Sequence, residues 1–272
     1  MVRGIQMKSK LYIAGITAFF LVCYIYYKFY KIEEGFKMIT TNAMIIIEPR
    51  RHPLLKKVIE NFDTNMDASW DLYVYHGKSH SDYAKMCTEN ITKRKVVLLP
   101  LGTDNMTATD YNRLFKKKQF WNTVNAENIL VFQTDSVLCG KSLHKINEYT
   151  SYDYIGCSYD NKTIGTRKFV HWGPEFEFYG VGGLSFRKKS FMLECINDNP
   201  NVPDDFGEDI YFSQCVARSF NRPPNAKVLN EFCTQFIFDE KSFGAHKTNI
   251  DLLSDKSEFY EYCPEAIMLE SS

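Results

Sequence analysis

Residues 128–136 read Asn-Ile-Leu-Val-Phe-Gln-Thr-Asp-Ser, an apolar run from Ile129 to Phe132 that gives way at once to polar side chains. A short unbroken run of this kind is the pattern of a strand buried on both faces, and such strands belong to parallel sheets covered by helices. Asp135 falls just past the carboxyl end of that strand, where a carboxylate can hold a hard divalent cation against diphosphate oxygens. The competing reading is an aspartate that caps the following turn or helix.

The same pattern recurs on the amino-terminal side. Ala43-Met-Ile-Ile-Ile-Glu48 is a second buried run, ending on Glu48, Pro49 and Arg50, while Trp70–His76 and Lys95–Leu101 predict two further strands. Between them, Leu54, Leu55, Val58, Ile59 and Phe62 recur at the spacing of a core-facing helix over residues 52–62. Tyr111–Trp121 reads as another helix. Strands alternating with helices imply an α/β fold with a mostly parallel central sheet, and ligands of such sheets sit at the carboxyl ends of the strands. That singles out Glu48-Pro49-Arg50, His76-Gly77 and Gln133-Thr134-Asp135-Ser136.

Three later segments carry further chemistry. Tyr179-Gly-Val-Gly-Gly-Leu-Ser-Phe-Arg187 places three glycines in four positions, which lets backbone approach a ligand closely, although its spacing is not that of a dinucleotide loop. Asp204, Asp205, Glu208 and Asp209 precede an apolar helical pattern through Ile210, Phe212 and Val216. Carboxylates at a helix start are favoured by its dipole, and one held there can also take a proton from an acceptor hydroxyl. Phe243-Gly-Ala-His246-Lys247 reads as a turn; neutral imidazole is a competent metal partner for a carboxylate, and Lys247 can neutralise phosphate charge.

Bulk properties narrow the classes. The chain has 272 residues, 44% of them hydrophobic, enough for one sizeable core. Its 33 Lys and Arg balance 33 Asp and Glu, so there is no basic excess to attract nucleic acid, and no nucleic-acid partner is expected. A G-x-S-x-G elbow is absent, which argues against serine hydrolysis. Glycosidase chemistry needs two carboxylates at a set separation that no motif here places.

From Leu11 to Tyr27 the chain runs 17 residues without a charge, about the shortest helix that spans a bilayer core. Bulky residues follow it, where a cleaved signal peptide would carry small ones. The expected order is a cytoplasmic tail (1–10), a transmembrane signal anchor (11–27), a stem (28–41) and one domain (42–272), in a single-pass type II orientation with the domain in the secretory lumen or outside. Sequons at Asn90, Asn105 and Asn161 agree with that orientation and are expected N-glycosylation sites. Of 8 cysteines none forms a CxxC pair, which argues against a metal-thiolate site; one or two disulfides and buried reduced thiols are both open, and pairing is not legible.

Taken in order, these segments resemble a glycosyltransferase-like family of formally unknown function found in microbes and large viruses, related to GT-A enzymes such as fringe. The likeness runs from about Ala43 to His246. It is carried by Glu48-Pro-Arg50 with His52-Pro53, Trp70 with Val74-Tyr-His-Gly77, Tyr111-Asn-Arg-Leu with Phe120-Trp121, Phe132-Gln-Thr-Asp-Ser136, Tyr152-Asp-Tyr-Ile-Gly156, Gly182-Gly-Leu-Ser185, Glu208-Asp209 with Tyr211-Phe212, and Phe243-Gly-Ala-His246. The resemblance implies a GT-A-like nucleotide-diphospho-sugar transferase domain that moves a sugar to a hydroxyl of a glycan, protein or lipid. It implies Glu48, Arg50, Asn112, Gln133, Thr134, Asp135 and Lys247 on the nucleotide-sugar, Gly182 and Gly183 on the acceptor side, and Asp209 as general base with Glu208 as alternate. Asp135 and His246 would hold a divalent metal, Mn²⁺ or Mg²⁺. Gln133 stands where the Asp-x-Asp motif of GT-A enzymes has its first acid, so metal-independent transfer and a catalytically inactive, glycan- or nucleotide-binding membrane glycoprotein stand as alternatives.

Overall fold

The computed structural model describes residues 41–143, 145–158, 178–252 and 254–271. The expected tail, membrane helix, nearly all of the stem, and the Asn161 sequon lie outside the described residues. Among the described residues no helix is long and apolar enough to cross a membrane. Residues 41–272 form one compact unit.

In chain order its main elements are β1 (Asn42–Glu48), α1 (Leu55–Asn65), β2 (Trp70–His76), α2 (Ser81–Thr88), β3 (Val96–Pro100), α3 (Ala108–Phe115), α4 (Lys118–Asn122), β4 (Asn128–Phe132) and β5 (Ser136–Leu138). There follow β6 (Tyr154–Cys157), β7 (Val181–Lys188), α5 (Lys189–Asp198), α6 (Glu208–Val216), α7 (Ala226–Phe232), β8 (Cys233–Thr234), β9 (Gly244–His246), α8 (Thr248–Asp251) and α9 (Lys256–Tyr262).

A six-stranded sheet in the order β3-β2-β1-β4-β7-β6 forms the centre. The first four strands are mutually parallel, β7 runs antiparallel to β4, and β6 is antiparallel to β7, so only β7 opposes the common direction. The mostly parallel sheet expected from the unbroken apolar runs is the one found. Because strand side chains alternate, β1 and β4 feed two cores at once. Met44, Ile46, Leu130 and Phe132 join the face covered by α1, where Phe62 stacks on Phe132 at 3.9 Å between ring centroids. Ala43, Ile45, Ile47, Ile129 and Val131 join Phe115, Trp121 and Phe212 on the other.

A small second sheet, β5-β9-β8, lies next in the chain to the end of β4. Its β9 is the Phe243–Lys247 segment expected as a turn; three residues are too few to show a period, and only pairing with β5 and β8 makes them a strand. The single helix expected over 111–121 is two, because the chain breaks at Lys116–Lys117 and α3 begins earlier, on a capping box between Thr107 and Asp110.

Seven cysteines are described. Six of them form three disulfides, one more than the upper expectation: Cys139–Cys263, Cys157–Cys233 and Cys195–Cys215, with Cys87 free and buried. The second joins β6 of the large sheet to β8 of the small one, and the third joins α5 to α6.

Candidate functional site

The carboxyl end of β4 makes a tight turn. Ser136 N–H donates to the Gln133 carbonyl at 3.1 Å, and the Ser136 hydroxyl donates to the Gly183 carbonyl at 3.0 Å. The turn is therefore closed by Ser136, and the Asp135 carboxylate is not spent on capping it. Beside the turn, at the end of β1, Glu48 is buried and accepts from the Arg50 guanidinium with both oxygens, each at 2.8 Å. The Arg50 side chain keeps 57% of its exposure. Glu48, Arg50, Tyr111, Gln133, Thr134 and Asp135 line one pocket of about 200 Å³.

Asn112, expected on the nucleotide-sugar, turns elsewhere: its Oδ1 accepts the Glu208 backbone N–H at 3.2 Å, so it joins α3 to the start of α6. Tyr111 instead lines the pocket, with a buried hydroxyl that has no hydrogen-bond partner among the described residues. Burial, and then the charge of Glu208, push its pKa up.

The antiparallel pairing of β5 with β9 sets Ser136 opposite His246, and Lys247 N–H donates to the Asp135 carbonyl at 2.9 Å. His246 Nε2 then lies 3.3 Å from Asp135 Oδ1. Both atoms are buried, and neither has a hydrogen-bond partner among the described residues. Burial pushes the Asp135 carboxyl up, but the His246 ring and the charge of Lys247 outweigh it and hold the pKa below the usual value. Lys247 itself adopts a left-handed backbone (φ 51°), the one non-glycine to do so among the described residues.

The donor set fits a divalent cation in a particular way. Among the described residues no group of three or more His, Cys, Asp and Glu could hold a metal by itself. One carboxylate oxygen and one imidazole nitrogen, both orphaned and facing each other, make a half-built site. Mg²⁺ and related ions are commonly held by one or two carboxylates together with substrate phosphates and water. Gln133, in the same turn, brings no charge.

On the other side of the same turn lies the glycine segment that opens β7. Gly183 is pressed against the His246 ring: a Cβ there would come 2.0 Å from Nε2. Gly182 N–H points at Asp209 Oδ2 at 3.4 Å, while Asp209 Oδ1 accepts the Ile210 N–H at 2.8 Å. Burial, followed by the neighbouring Glu208 charge, pushes the Asp209 pKa up to about 6. Glu208, the alternate base, is committed: Arg187 Nη1 and Nη2 donate to its two oxygens at 2.5 and 2.9 Å, with both side chains almost wholly buried. Arg187 also donates to the Ser185 hydroxyl and lies over the rings of Phe115, Tyr154 and Phe212. Arg187 is not legible from the sequence as a site-building residue, because nothing local announces a partner 21 residues away.

Most of the expected residues lie around the turn after β4, with Asn112 and Glu208 turned to other partners. Asp135 and His246 meet directly; Gly183 carries the His246 ring, and its neighbour Gly182 carries Asp209. Glu48, Arg50, Gln133 and Thr134 line the adjoining pocket, and Lys247 flanks the pair through the β5–β9 ladder.

An α/β protein with a mostly parallel sheet and a polar cleft at the carboxyl ends of its strands is the class that this geometry defines. Within that class the chain belongs to the family described as "Protein of unknown function (DUF5672)", whose model matches residues 96–246, more than half of the sequence and all of the cleft from β3 to His246. No curated protein matches the sequence. Solved structures with a similar chain course include S. aureus TarS 1-349, at 9% identity and a TM-score of 0.46, covering 65% of this chain and 55% of that one. The same TarS fragment in complex with UDP-GlcNAc gives 8% identity, a TM-score of 0.43, and 65% and 53% coverage. Core-mannan synthase A (CmsA/Ktr4) from Aspergillus fumigatus, in an Mn/GDP form, gives 9% identity, a TM-score of 0.48, and 66% and 70% coverage. The chain spans about half the length of the TarS structures. At such identity the overlap assigns no residue a role.

Proposed function

We propose that this protein is a glycosyltransferase that moves a sugar from a nucleoside diphosphate to a hydroxyl group of a glycan, protein or lipid. The observation that carries the reading is the pair of orphaned ligand atoms, Asp135 Oδ1 and His246 Nε2, set 3.3 Å apart beside a pocket that holds Arg50. A buried carboxylate oxygen and a buried ring nitrogen left without hydrogen bonds are costly unless a ligand completes them. Mn²⁺ or Mg²⁺ there would supply charge neutralisation for the departing diphosphate.

The chain's own groups account for the rest. Arg50, oriented by Glu48, and Lys247 present positive charge where phosphate oxygens would lie, with Gln133 and Thr134 as uncharged hydrogen-bonding groups beside them. Asp209 is the general base. A pKa near 6 leaves it ionised at neutral pH yet basic enough to take the acceptor proton, which is the condition for efficient transfer. Gly182 and Gly183, on the acceptor side, let Glu208 and the His246 ring pack directly against the backbone of β7. With Asp209 acting on the face opposite the leaving group, the anomeric centre is inverted, and a product of retained configuration would refute that assignment.

Gln133 in place of a second acid favours a second reading, in which the cleft binds a nucleotide or glycan without turnover. The test is nucleotide-sugar binding and hydrolysis by the purified protein with Mn²⁺, with Mg²⁺ and with chelator, beside Asp135→Ala. Metal-dependent hydrolysis lost in the variant supports the transferase; metal-dependent binding with no hydrolysis or transfer supports the binding module.

The protein is also read as a type II membrane protein with this domain in an oxidising lumen. Three disulfides support that placement, since they are rare in reducing compartments, and the exposed Asn90 and Asn105 are accessible to glycosylation there. A mass shift on glycosidase treatment of the cell-made protein tests it, and a protein wholly removed by an alkaline wash would exclude the anchor.

A further inference from the structure

The side of His246 that faces away from Asp135 is occupied. His246 Nδ1 lies 2.9 Å from Gln235 Oε1, and Gln235 Nε2 donates to Asp251 Oδ2 at 2.8 Å. We propose that Gln235 and Asp251 form a positioning relay that fixes hydrogen on Nδ1 of His246, and so leaves Nε2, on the side of Asp135, as the nitrogen free to meet a cation. The proposal rests on reading Asp135 and His246 as a cation-binding pair.

The argument follows from what each atom can do. A carboxylate accepts only, so Asp251 must face the amide nitrogen of Gln235; the flipped amide would set oxygen against oxygen. With the nitrogen so engaged, the amide oxygen is the atom that meets His246. It too accepts only, so Nδ1 is the nitrogen that bears hydrogen; in the neutral ring Nε2 is then the acceptor, and in the charged ring it is a second donor facing Asp135. The neutral form is the tautomer a metal requires at Nε2, and a hydrogen bond from the other ring nitrogen is the usual way it is set.

Three features of the fold build the relay. Gln235 is buried immediately after β8, the strand held to the large sheet by Cys157–Cys233. The left-handed Lys247 turns the chain sharply after β9, so that Asp251 N–H reaches back to the Lys247 carbonyl at 2.9 Å and its carboxylate comes over Gln235. Gly183 closes the remaining side of the ring, leaving it no space to rotate away.

The experiment is long-range ¹H–¹⁵N correlation spectroscopy on the histidine-labelled full chain without metal, with His246→Gln used to assign the signal, and Mn²⁺ titration by electron paramagnetic resonance. The wild type is expected to show His246 with hydrogen on Nδ1. Gln235→Leu and, at the partly exposed end of α8, Asp251→Ala are expected to mix in the other tautomer and to weaken Mn²⁺ binding by about 10–100-fold. The double variant Gln235→Glu with Asp251→Asn keeps an acceptor toward His246 and a donor toward that acceptor, and is expected to return both signals toward the wild type. Hydrogen on Nε2 and none on Nδ1 in the wild type, or variants with unchanged tautomer and affinity, overturns the relay. A wild type with hydrogen on Nδ1 that binds no Mn²⁺ sustains the relay and overturns the cation reading instead. Circular dichroism identifies any variant that has not folded, and either single variant suffices.

Discussion

Two pairs of side chains pack against neighbouring glycines of β7, Gly182 and Gly183, and they are finished differently. Arg187 and Glu208 are joined by two hydrogen bonds, walled in by Phe115, Tyr154 and Phe212, with a further bond from Arg187 to Ser185. Asp135 and His246 are as close as an ion pair, yet leave Oδ1 and Nε2 without a hydrogen bond among the described residues. Both pairs cost desolvation, but only the first also satisfies its facing atoms with hydrogen bonds inside the protein. The satisfied pair is architecture: it clamps the glycine segment of β7 to the first turn of α6. The unsatisfied pair is, on the function proposed above, where a cation would bind.

That contrast can be broken most forcefully at Arg187. Replacing it with Met leaves Glu208 buried and uncompensated, and urea unfolding is expected to show a loss of about 3–5 kcal/mol. Adding Glu208→Leu should recover much of it; a double variant as unstable as the single would mean that the ion pair is not what holds the two elements together. Asp135→Ala is expected to do the reverse. Turnover should fall by about 10²–10³-fold, as when a charge-stabilising group is removed from an active site, with stability changed by less than about 1 kcal/mol. A large stability loss there would erase the distinction between the pairs.

Gly183→Ala sharpens the comparison from the backbone side. Its Cβ would fall 2.0 Å from His246 Nε2, so the ring must shift. A cost of about 1–3 kcal/mol is expected, together with weaker Mn²⁺ binding, read by calorimetry.

The smallest effect is expected at Asp209, whose pKa is raised to about 6. For a carboxyl raised on folding, the protonated form is the favoured one. Its stabilising contribution is therefore present below the ordinary aspartate range and is lost as pH rises through about 6. Asp209→Asn removes that loss, so the variant should be more stable than the wild type by about 1–2 kcal/mol above pH 6 and no more stable near pH 4, while losing turnover. In the wild type the rate should rise with pH through an inflection near 6, followed with radiolabelled donor.

How far the sequence foretold these pairs depends on how local each one is. β1, β2 and β4 were legible because strands buried on both faces print as continuous apolar runs, and Trp70–His76 agrees with its element residue for residue. α1 starts three residues later than expected, at Leu55, because residues 52–54 form a turn that already carries helical-looking leucine. The Gln133–Asp135 turn was legible from its position after a strand, and His246 from its order in the chain. Arg187 with Glu208, Gln235 with His246, and all three disulfides were not, since each joins residues 11 to 124 positions apart that only the folded sheet makes neighbours. Tyr111 shows the intermediate case: its helix was expected, but whether a helical tyrosine faces the core or the cleft turns on where the helix begins.

The reversed direction of β7 has a consequence for how the molecule comes into being. Because β7 runs against β4, the start of one lies beside the end of the other, and a cleft can be assembled from residues 133–135 and 182–183 without any long return path. The histidine that faces Asp135 arrives only at position 246, more than a hundred residues after β4 has ended. During synthesis, then, the four parallel strands can be laid down and covered before the Asp135–His246 pair exists. A chain cut short before β9 is expected to keep β1 to β4, by hydrogen-exchange protection, while having no capacity to bind Mn²⁺.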